Sequence, residues 1–216
     1  MIGRRPRRKR DFPDCRGVSS PQFPLTKTCL LKVGPPTNLL SFVIESVPPH
    51  PDSVHLQFAR GWLELGNIQE AEAELGNIRP QYFGCPDVLE IRFQVLARRQ
   101  CYTEGLAIAK QHVADFPTDF RGHMNQANAL FWLNRPQEAI DSVMDILPQH
   151  PKIAALPYNL ACYWMKLGDA AQAVHWLESA MQIGLRKGVI QHALSDPDLR
   201  PIWDYIRELE ESGDGD

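Results

Sequence analysis

The sequence lacks paired cysteines and long apolar segments. Its five cysteines are widely spaced, and no two of them form a CxxC motif. This pattern disfavours a disulfide framework and a zinc site, and it is typical of a reducing compartment. No apolar run approaches the roughly 20 residues that a membrane-spanning helix needs, and the basic start is not followed by the apolar stretch of a signal peptide. We therefore expect a cytoplasmic protein that does not interact with membranes.

Motifs typical of enzymes are also absent. The sequence contains no glycine-rich phosphate-binding loop, no HExxH and no GxSxG. Its seven histidines are scattered, and pairs such as His112 and His123 do not share a helix face at a spacing of four residues. No base is evident beside a thiol, and we expect Cys101 and Cys162 to pack as small apolar residues. The sequence therefore predicts a protein that is not an enzyme and that binds no cofactor or metal.

Positive charge is concentrated at the N-terminus, and the rest of the chain is acidic. The formal net charge is -3, but the first ten residues carry six basic residues and no acidic one, so residues 11–216 carry a charge of -9. An acidic surface repels the phosphates of nucleic acid. We therefore expect nucleic acid to be contacted only through the basic N-terminal arm, if at all.

Residues 1–36 are basic, rich in proline and without apolar periodicity. Such a segment buries too little apolar surface to offset the entropy of ordering, so we predict that it is disordered. Its RRPRRKR stretch has three interpretations: a nuclear-localisation or polyanion-binding arm, a solvated tail, or an upstream stretch outside the functional protein. Residues 37–51 are predicted to form an N-terminal capping helix, in which the apolar stretch NLLSFVIESV is closed by Pro48 and Pro49.

Small residues recur along the rest of the chain at a period of 34 residues. A period of this length indicates stacked repeats. Two antiparallel helices cross closely only where a side chain at the crossing is small, so two columns of small residues predict one such crossing in each repeat. One column consists of Ala71, Gly105, Ala139 and Ala173, and the other, twelve residues earlier, consists of Ala59, Phe93, Ala127 and Ala161.

Turn residues keep the same period. Pro117 and Pro151 fall where a helix pair should end. Gly66, Asn134 and Gly168 fall where the first helix of a pair should turn into the second. Their constant spacing supports the repeat boundaries.

These residues resemble the tetratricopeptide repeat (TPR), and the chain is similar to bacterial-type members of that family. The resemblance implies an all-α, right-handed solenoid of about four helix–turn–helix repeats with capping helices at both ends. The repeats would span residues 52–85, 86–119, 120–153 and 154–187. The last repeat matches the family pattern best, through Leu160, Ala161, Trp164, Gly168, Ala173, Leu177 and Ala180.

The sequence after the last repeat predicts a cap for the end of the array. Ile202, Trp203, Ile206 and Leu209 form an apolar stripe at helical spacing. A stacked array leaves its final apolar face open, so we assign residues 188–211 to a C-terminal capping helix. Residues 212–216 are predicted to be a disordered tail.

In the TPR family the first helix of each pair lines a concave groove, and the resemblance therefore implies a peptide-binding site. Asn125 and Asn159 occupy one repeat position, and an amide can bond both the N–H and the C=O of an extended peptide. Phe131 and Trp132 cannot both face one core, so we expect one of them to reach into the groove. The groove candidates are Arg60, Gln94, Arg98, Arg121, Asn125, Asn128, Phe131, Trp132, Tyr158, Asn159 and Lys166.

The resemblance implies a non-enzymatic scaffold for protein–protein interaction, which binds an extended or helical segment of a partner in this groove. The cations among the candidates predict that the segment carries a carboxylate. Two alternatives stay open. One is a TPR-type chaperone for a secreted or assembling client protein, and the other is an accessory or catalytic domain of an enzyme with a polar cluster in the groove.

Deletion of residues 1–36 tests the assignment of the N-terminal segment. Because nothing in this segment is predicted to pack, the deletion should leave the helix content and the melting temperature nearly unchanged. Circular dichroism during a thermal melt measures both quantities. A loss of several degrees would show that the segment docks on the array.

Overall fold

The computed structural model describes residues 47–213, with side chains described as far as residue 211. No strand is present in this range, and none of its helices is long and apolar enough to cross a membrane. The predicted disordered segment 1–36, most of the predicted N-terminal capping helix and residues 214–216 lie outside the described residues. The helices are α1 (Asp52–Glu64), α2 (Ile68–Asn77), α3 (Pro86–Arg98), α4 (Tyr102–Asp115), α5 (Phe120–Trp132), α6 (Pro136–Ile146), α7 (Ala155–Leu167), α8 (Ala170–Ile183), α9 (Arg186–Ser195) and α10 (Trp203–Gly213), with short 3-10 helices at Pro80–Tyr82, Leu147–Gln149 and Pro197–Ile202.

The helices pair in sequence order. Helix α1 packs on α2, α3 on α4, α5 on α6, and α7 on α8, and the second helix of each pair also packs on the first helix of the next pair. This all-α solenoid of four TPR-like pairs confirms the predicted fold class.

The turn inside each of the four pairs has the same backbone conformation. In each turn one residue has a positive φ, and the residue that follows it donates its amide hydrogen to the carbonyl oxygen five positions back, at 2.8 to 3.1 Å. This is the Schellman arrangement, in which a left-handed residue ends a helix. Three of the positions are predicted from the sequence, whereas glutamine is not a residue type that favours positive φ. The left-handed residues are Gly66, Gln100, Asn134 and Gly168, with φ of 77°, 59°, 62° and 88°.

The two columns of small residues lie in the interior of the solenoid. In the second pair one column holds a large residue, Phe93, and the other holds a glycine, Gly105. The two face each other, because a Cβ at Gly105 would lie 3.5 Å from the ring of Phe93. The bulky ring fits because the opposing residue has no side chain, so this pair can cross closely although it departs from the family pattern. The other members, Ala59, Ala71, Ala127, Ala139, Ala161 and Ala173, are all 0% exposed.

A large residue also faces a glycine where the second pair packs on the third. His112 on α4 is buried, and a Cβ at Gly122 on α5 would lie 3.1 Å from its ring and 3.2 Å from the Val113 nitrogen. The imidazole therefore fits only because position 122 has no side chain. The His112 Nε2 atom is also 3.0 Å from Asp119 Oδ2, so the ring contacts the residue that precedes α5.

The interior divides into two apolar clusters that meet at α3. The first cluster combines α1, α2 and residues 78–85 with one face of α3, which includes Val88 and Val95. The second cluster runs from the other face of α3, which includes Leu89 and Phe93, as far as α10. Helix α3 therefore joins the first pair to the rest of the solenoid.

The C-terminal cap differs from the single helix predicted over residues 188–211. Helix α9 ends at Ser195, and a 3-10 helix separates it from α10. Pro197 and Pro201 interrupt the helix because they have no amide hydrogen, and the Asp196 carboxylate accepts a hydrogen bond from the Asp198 amide at 2.9 Å. The cap is therefore two helices joined by a 3-10 turn. Ile206, which belongs to the predicted apolar stripe, is buried in the core.

Replacement of Gly122 by alanine tests the contact between the second and third pairs. A Cβ at this position would press on the His112 ring and on the backbone at Val113, and such overpacking should lower the free energy of unfolding by about 1–3 kcal/mol. Urea unfolding of Gly122→Ala measures this change. The matched control is Gly76→Ala, because a Cβ at Gly76 meets no atom within 4 Å and alanine should stabilise that helix by about 0.5 kcal/mol. Equal effects at the two positions would contradict the close approach at Gly122.

Candidate peptide-binding groove

The first helices of the four pairs form the surface that we call the groove. Side chains of the predicted groove residues tie each of these helices to the next, and each junction uses different chemistry. The predicted residues lie on α1 (Arg60), α3 (Gln94 and Arg98), α5 (Arg121, Asn125, Asn128, Phe131 and Trp132) and α7 (Tyr158, Asn159 and Lys166).

At the junction of α1 with α3, Arg98 reaches the end of α1. Its Nη1 atom donates a hydrogen bond to the Leu63 carbonyl oxygen at 3.5 Å. The guanidinium is favourable there because the C-terminus of a helix carries partial negative charge. Arg60, which is exposed on α1, has no ion pair with any of the described residues. Arg60 is therefore available to a partner, whereas Arg98 is partly used by the fold.

At the junction of α3 with α5, Arg121 is surrounded by carboxylates. Its Nη1 atom lies 2.5 Å from Asp87 Oδ1 and 2.8 Å from Glu90 Oε2. Its Nη2 atom lies 2.7 Å from Asp119 Oδ2. One guanidinium therefore meets three carboxylates, and the cluster as a whole is acidic. The structure assigns Arg121 to holding α5 against α3, which corrects its expected role as an open cation for a carboxylate of the partner.

Asp119 and Arg121 hold each other in their charged forms. Burial alone would raise the pKa of Asp119, but hydrogen bonds from His112 and Arg121 outweigh it and hold that pKa well below its ordinary value. The hydrogen bond with Asp119 raises the pKa of Arg121 above its ordinary value. Both groups therefore stay ionised at neutral pH, and their ion pair holds the start of α5 in place.

The junction of α5 with α7 combines a hydrogen bond with aromatic contacts. The Tyr163 hydroxyl donates to Asn128 Oδ1 at 2.8 Å, and the Tyr163 ring lies 5.1 Å from the Phe131 ring. The Lys166 Nζ atom lies 5.4 Å from the centre of the Phe131 ring. Because Phe131 is only 8% exposed, it supports Lys166 at the surface and is not an open apolar anchor.

Trp132 packs on the preceding helix pair. Its ring is stacked on Phe93 of α3, with 6.3 Å between the centroids and 14° between the planes, and it lies 5.0 Å from Tyr102 of α4. Trp132 therefore holds the third pair on the second. Adjacent side chains of α5 point to the two neighbouring units. Phe131 is buried and is therefore not an open anchor, whereas for the half-buried Trp132 a contact with a partner stays a prediction.

The cap continues this series of contacts beyond α7. The hydroxyl of Tyr158 donates to Asp196 Oδ2 at 2.9 Å, and the Cys162 thiol donates to the same oxygen at 3.6 Å. Burial, followed by the charge of Asp196, raises the pKa of Cys162 above its ordinary value. The thiol is therefore protonated and unreactive. The hydroxyl of Tyr158 is used to hold the cap, although the residue was predicted to contact a partner.

The amide side chains of the groove differ in whether their N–H groups already donate a hydrogen bond within the protein. The buried Asn125 Nδ2 has no acceptor among the described residues, and a buried donor without an acceptor costs free energy. Asn159, at the same position in the next repeat, donates its Nδ2 to the Ala155 carbonyl oxygen at 2.8 Å. Gln94 donates to Glu90 at 3.1 Å. The expected ladder of asparagines stays a prediction, because the Asn125 Nδ2 atom is covered in the free protein and the Asn159 Nδ2 atom is already bonded within α7.

Sequence reasoning missed Asp87 and Asp119 as groove residues. Asp87 and Arg121 are 34 residues apart and occupy one repeat position in consecutive repeats. Opposite charges at one repeat position are therefore the signal that would have identified the pair. Among the described residues no group of three histidine, cysteine or acidic side chains is arranged to hold a metal ion.

Comparison with known proteins adds information on the fold. Neither a protein-family model nor a curated protein sequence matches this chain. A solved structure of MamA (residue 41 to the end) from Desulfovibrio magneticus RS-1 is 15% identical and matches 77% of this chain and 99% of its own, with a TM-score of 0.57. Two other crystal structures of MamA, 13% and 15% identical, match 74% and 71% of this chain and 88% and 95% of their own, with TM-scores of 0.56 and 0.55. At this level of identity the likeness shows a shared helical solenoid fold.

Replacement of Asp119 by asparagine tests the ion network between α3 and α5. A carboxyl whose pKa is lowered by folding contributes stability above its ordinary pKa of 3.8, and this contribution is lost as the pH falls through the lower pKa of the folded state. Asp119→Asn should therefore reduce the free energy of unfolding by about 1–3 kcal/mol at pH 7, and by less as the pH falls below about 4. Urea unfolding at both pH values measures the two differences.

The control for this prediction is Asp204→Asn. Asp204 pairs with Arg207 on the surface and its side chain is 96% exposed, so the substitution should change the free energy of unfolding by less than about 0.5 kcal/mol. A loss at Asp119 that is as small as the loss at Asp204, or that does not depend on pH, would contradict the network.

Proposed function

We propose that this protein is a non-enzymatic cytoplasmic scaffold that binds an extended or helical segment of another protein in the groove. The observation that carries the proposal is the half-buried side chain of Asn125 on α5, whose Nδ2 atom has no acceptor among the described residues. That atom is covered in the free protein, so the side chain would have to turn outward before a main-chain carbonyl of a bound segment could supply the acceptor. The amide of Asn125 would then read the backbone of the partner without requiring one particular sequence.

The cation that suits a carboxylate of the segment is Lys166 rather than Arg121. Lys166 is exposed, and its ammonium group lies over the ring of Phe131. Arg121 already has three carboxylate partners. A segment that follows α5 and α7 would place its carboxylate near Lys166 and its main chain near Asn125, while Arg60 offers a second cation at the other end of the groove.

The titratable groups of the groove support binding rather than catalysis. The Cys162 thiol is protonated because burial raises its pKa, and an enzyme that used it would need the thiolate. Asp119 and Arg121 hold each other in their charged forms. These groups therefore supply shape and fixed charge to a bound segment, which is what a scaffold requires.

Variants of the groove test the proposal. Full-length wild type and Asn125→Ala should be compared by affinity purification with mass spectrometry, to find proteins that are retained by the first and lost by the second. Calorimetry with the binding segment should then show that Asn125→Ala and Lys166→Ala each weaken binding by about 1–3 kcal/mol. Trp132→Ala is unsuitable, because Trp132 packs on Phe93 and Tyr102 and its loss would disturb the fold.

The matched control is Gln172→Ala, on the exposed first turn of α8. It should leave binding unchanged. If Gln172→Ala weakens binding and the two groove variants do not, the proposal is wrong and another surface carries the interaction. A client that binds only while unfolded would instead support the chaperone alternative.

A further inference from the structure

One face of α1 remains apolar although no described element covers it. Phe58 is 55% exposed and Leu65 is 77% exposed, and a Cβ at Gly61 would meet no atom within 4 Å. Val54, Phe58, Gly61 and Leu65 are spaced by four, three and four residues, so they form a single stripe along the helix. We call this stripe the terminal face. It lies opposite Leu56, Ala59 and Leu63, the buried apolar side of α1.

The same positions are covered in the other three repeats. In each later repeat we compare the four residues that occupy the same repeat positions as Val54, Phe58, Gly61 and Leu65. All of them are buried or half-buried except Leu167. They are covered because the second helix of the preceding pair packs on the first helix of the next, as α4 does on α5. The terminal face therefore has the residues of a stacking surface, but it lacks the helix that would stack on it. A terminal unit that faced water would be expected to carry polar residues there.

Glycine at position 61 supports this interpretation. In the later repeats the equivalent positions hold Val95, Ala129 and Tyr163, all of them buried. Glycine destabilises the middle of a helix relative to alanine, and no described residue needs the space that it leaves. A glycine in a stacking surface allows a second backbone to approach closely, as Gly122 does at the junction of α4 with α5.

The segment just before α1 has an apolar composition that would suit a helix packed on the terminal face. Residues 38–46 contain five apolar residues and one charged residue. In the 34-residue register, Pro49 aligns with Pro117 and Pro151 at the ends of helix pairs. Ile44 aligns with Ile78, His112 and Ile146, and each of those three is at most 1% exposed.

The length of the segment and the position of its end also fit. Nine helical residues span about 14 Å, and the terminal face spans about 17 Å. Residues 47–51 would join the segment to α1 as a link of five residues, which is close in length to the four-residue link between α4 and α5, 116–119. A link of this length brings consecutive helices together as antiparallel neighbours.

We propose that residues 38–46 form the second helix of a half-repeat, which packs antiparallel to α1 and covers the terminal face. The helix adds an apolar contact on the side of α1 that faces away from the first apolar cluster, and it makes the start of the solenoid a stacking contact of the same kind as those between the described pairs.

Hydrogen exchange of the full-length protein, followed by mass spectrometry, tests the proposal. In the wild type, the amides of residues 38–46 should exchange about tenfold or more slowly than those of residues 1–36. In Phe58→Asp this protection should be lost, because a carboxylate on the terminal face excludes an apolar helix, while α5 to α8 should remain protected. The matched control is Met144→Asp on α6, since Met144 is also exposed, at 43%. This control should leave the protection of residues 38–46 unchanged.

A reciprocal variant keeps the test decisive if Phe58→Asp weakens α1 itself. Ile44→Asp should lower the melting temperature by about 2–8 °C, and the double variant should fall no further than the more affected single variant, because both remove one contact. Fast exchange of residues 38–46 in the wild type, or additive losses in the double variant, would overturn the proposal. A wild-type dimer that Phe58→Asp converts to a monomer, with unchanged exchange of residues 38–46, would assign the terminal face to a second copy and would also overturn it.

Discussion

The close approach of helices at positions without a large side chain is the constraint on which the rest of the structure depends. Within three of the four pairs, both positions of the crossing are alanines that are fully buried. In the second pair a phenylalanine and a glycine share the same space. Between the second and third pairs, His112 and Gly122 form the same combination of a large residue and a glycine. At each crossing the combined volume of the two facing residues stays small. The residue on one helix can therefore vary while the distance between the helices is maintained.

This stacking determines what the groove can offer to a partner. Each first helix is held against its neighbour by a side chain that a sequence comparison would assign to binding: Arg98, Arg121 and Phe131 are the clearest cases. Such residues fix the shape of the surface. The groups that we propose for recognition are the Asn125 amide, the Lys166 ammonium and Arg60, none of which has an ion pair or a side-chain hydrogen bond between the first helices.

The features that follow from local chemistry could be predicted from the sequence. Glycine and asparagine at positions 66, 134 and 168 mark turns because they tolerate positive φ, and the structure confirms these turns. Gln100 has the same conformation without such a signal, because its position is imposed by the helices on either side. Two prolines break the C-terminal cap, and the predicted apolar stripe alone could not show where the break would fall.

The roles of the groove residues were harder to predict because they depend on contacts between repeats. Arg121 is a cation in the sequence, but only the folded chain brings Asp87, Glu90 and Asp119 around it. Phe131 and Trp132 are adjacent and cannot both face one core, so the sequence predicts one of them in the groove, yet both rings pack on neighbouring units. A side chain on one repeat is therefore interpreted correctly only together with the residues about 34 positions away on either side.

The central claim, that the groove binds a segment of another protein, is tested most directly by site-specific photo-crosslinking in the full-length protein. A photoreactive amino acid should be placed at Asn159, on the groove side of α7, and in a second variant at Gln172, on the exposed first turn of α8. The account predicts that the first variant forms a covalent adduct with one segment of a partner protein and that the second does not. An adduct that forms only from position 172 would contradict the claim.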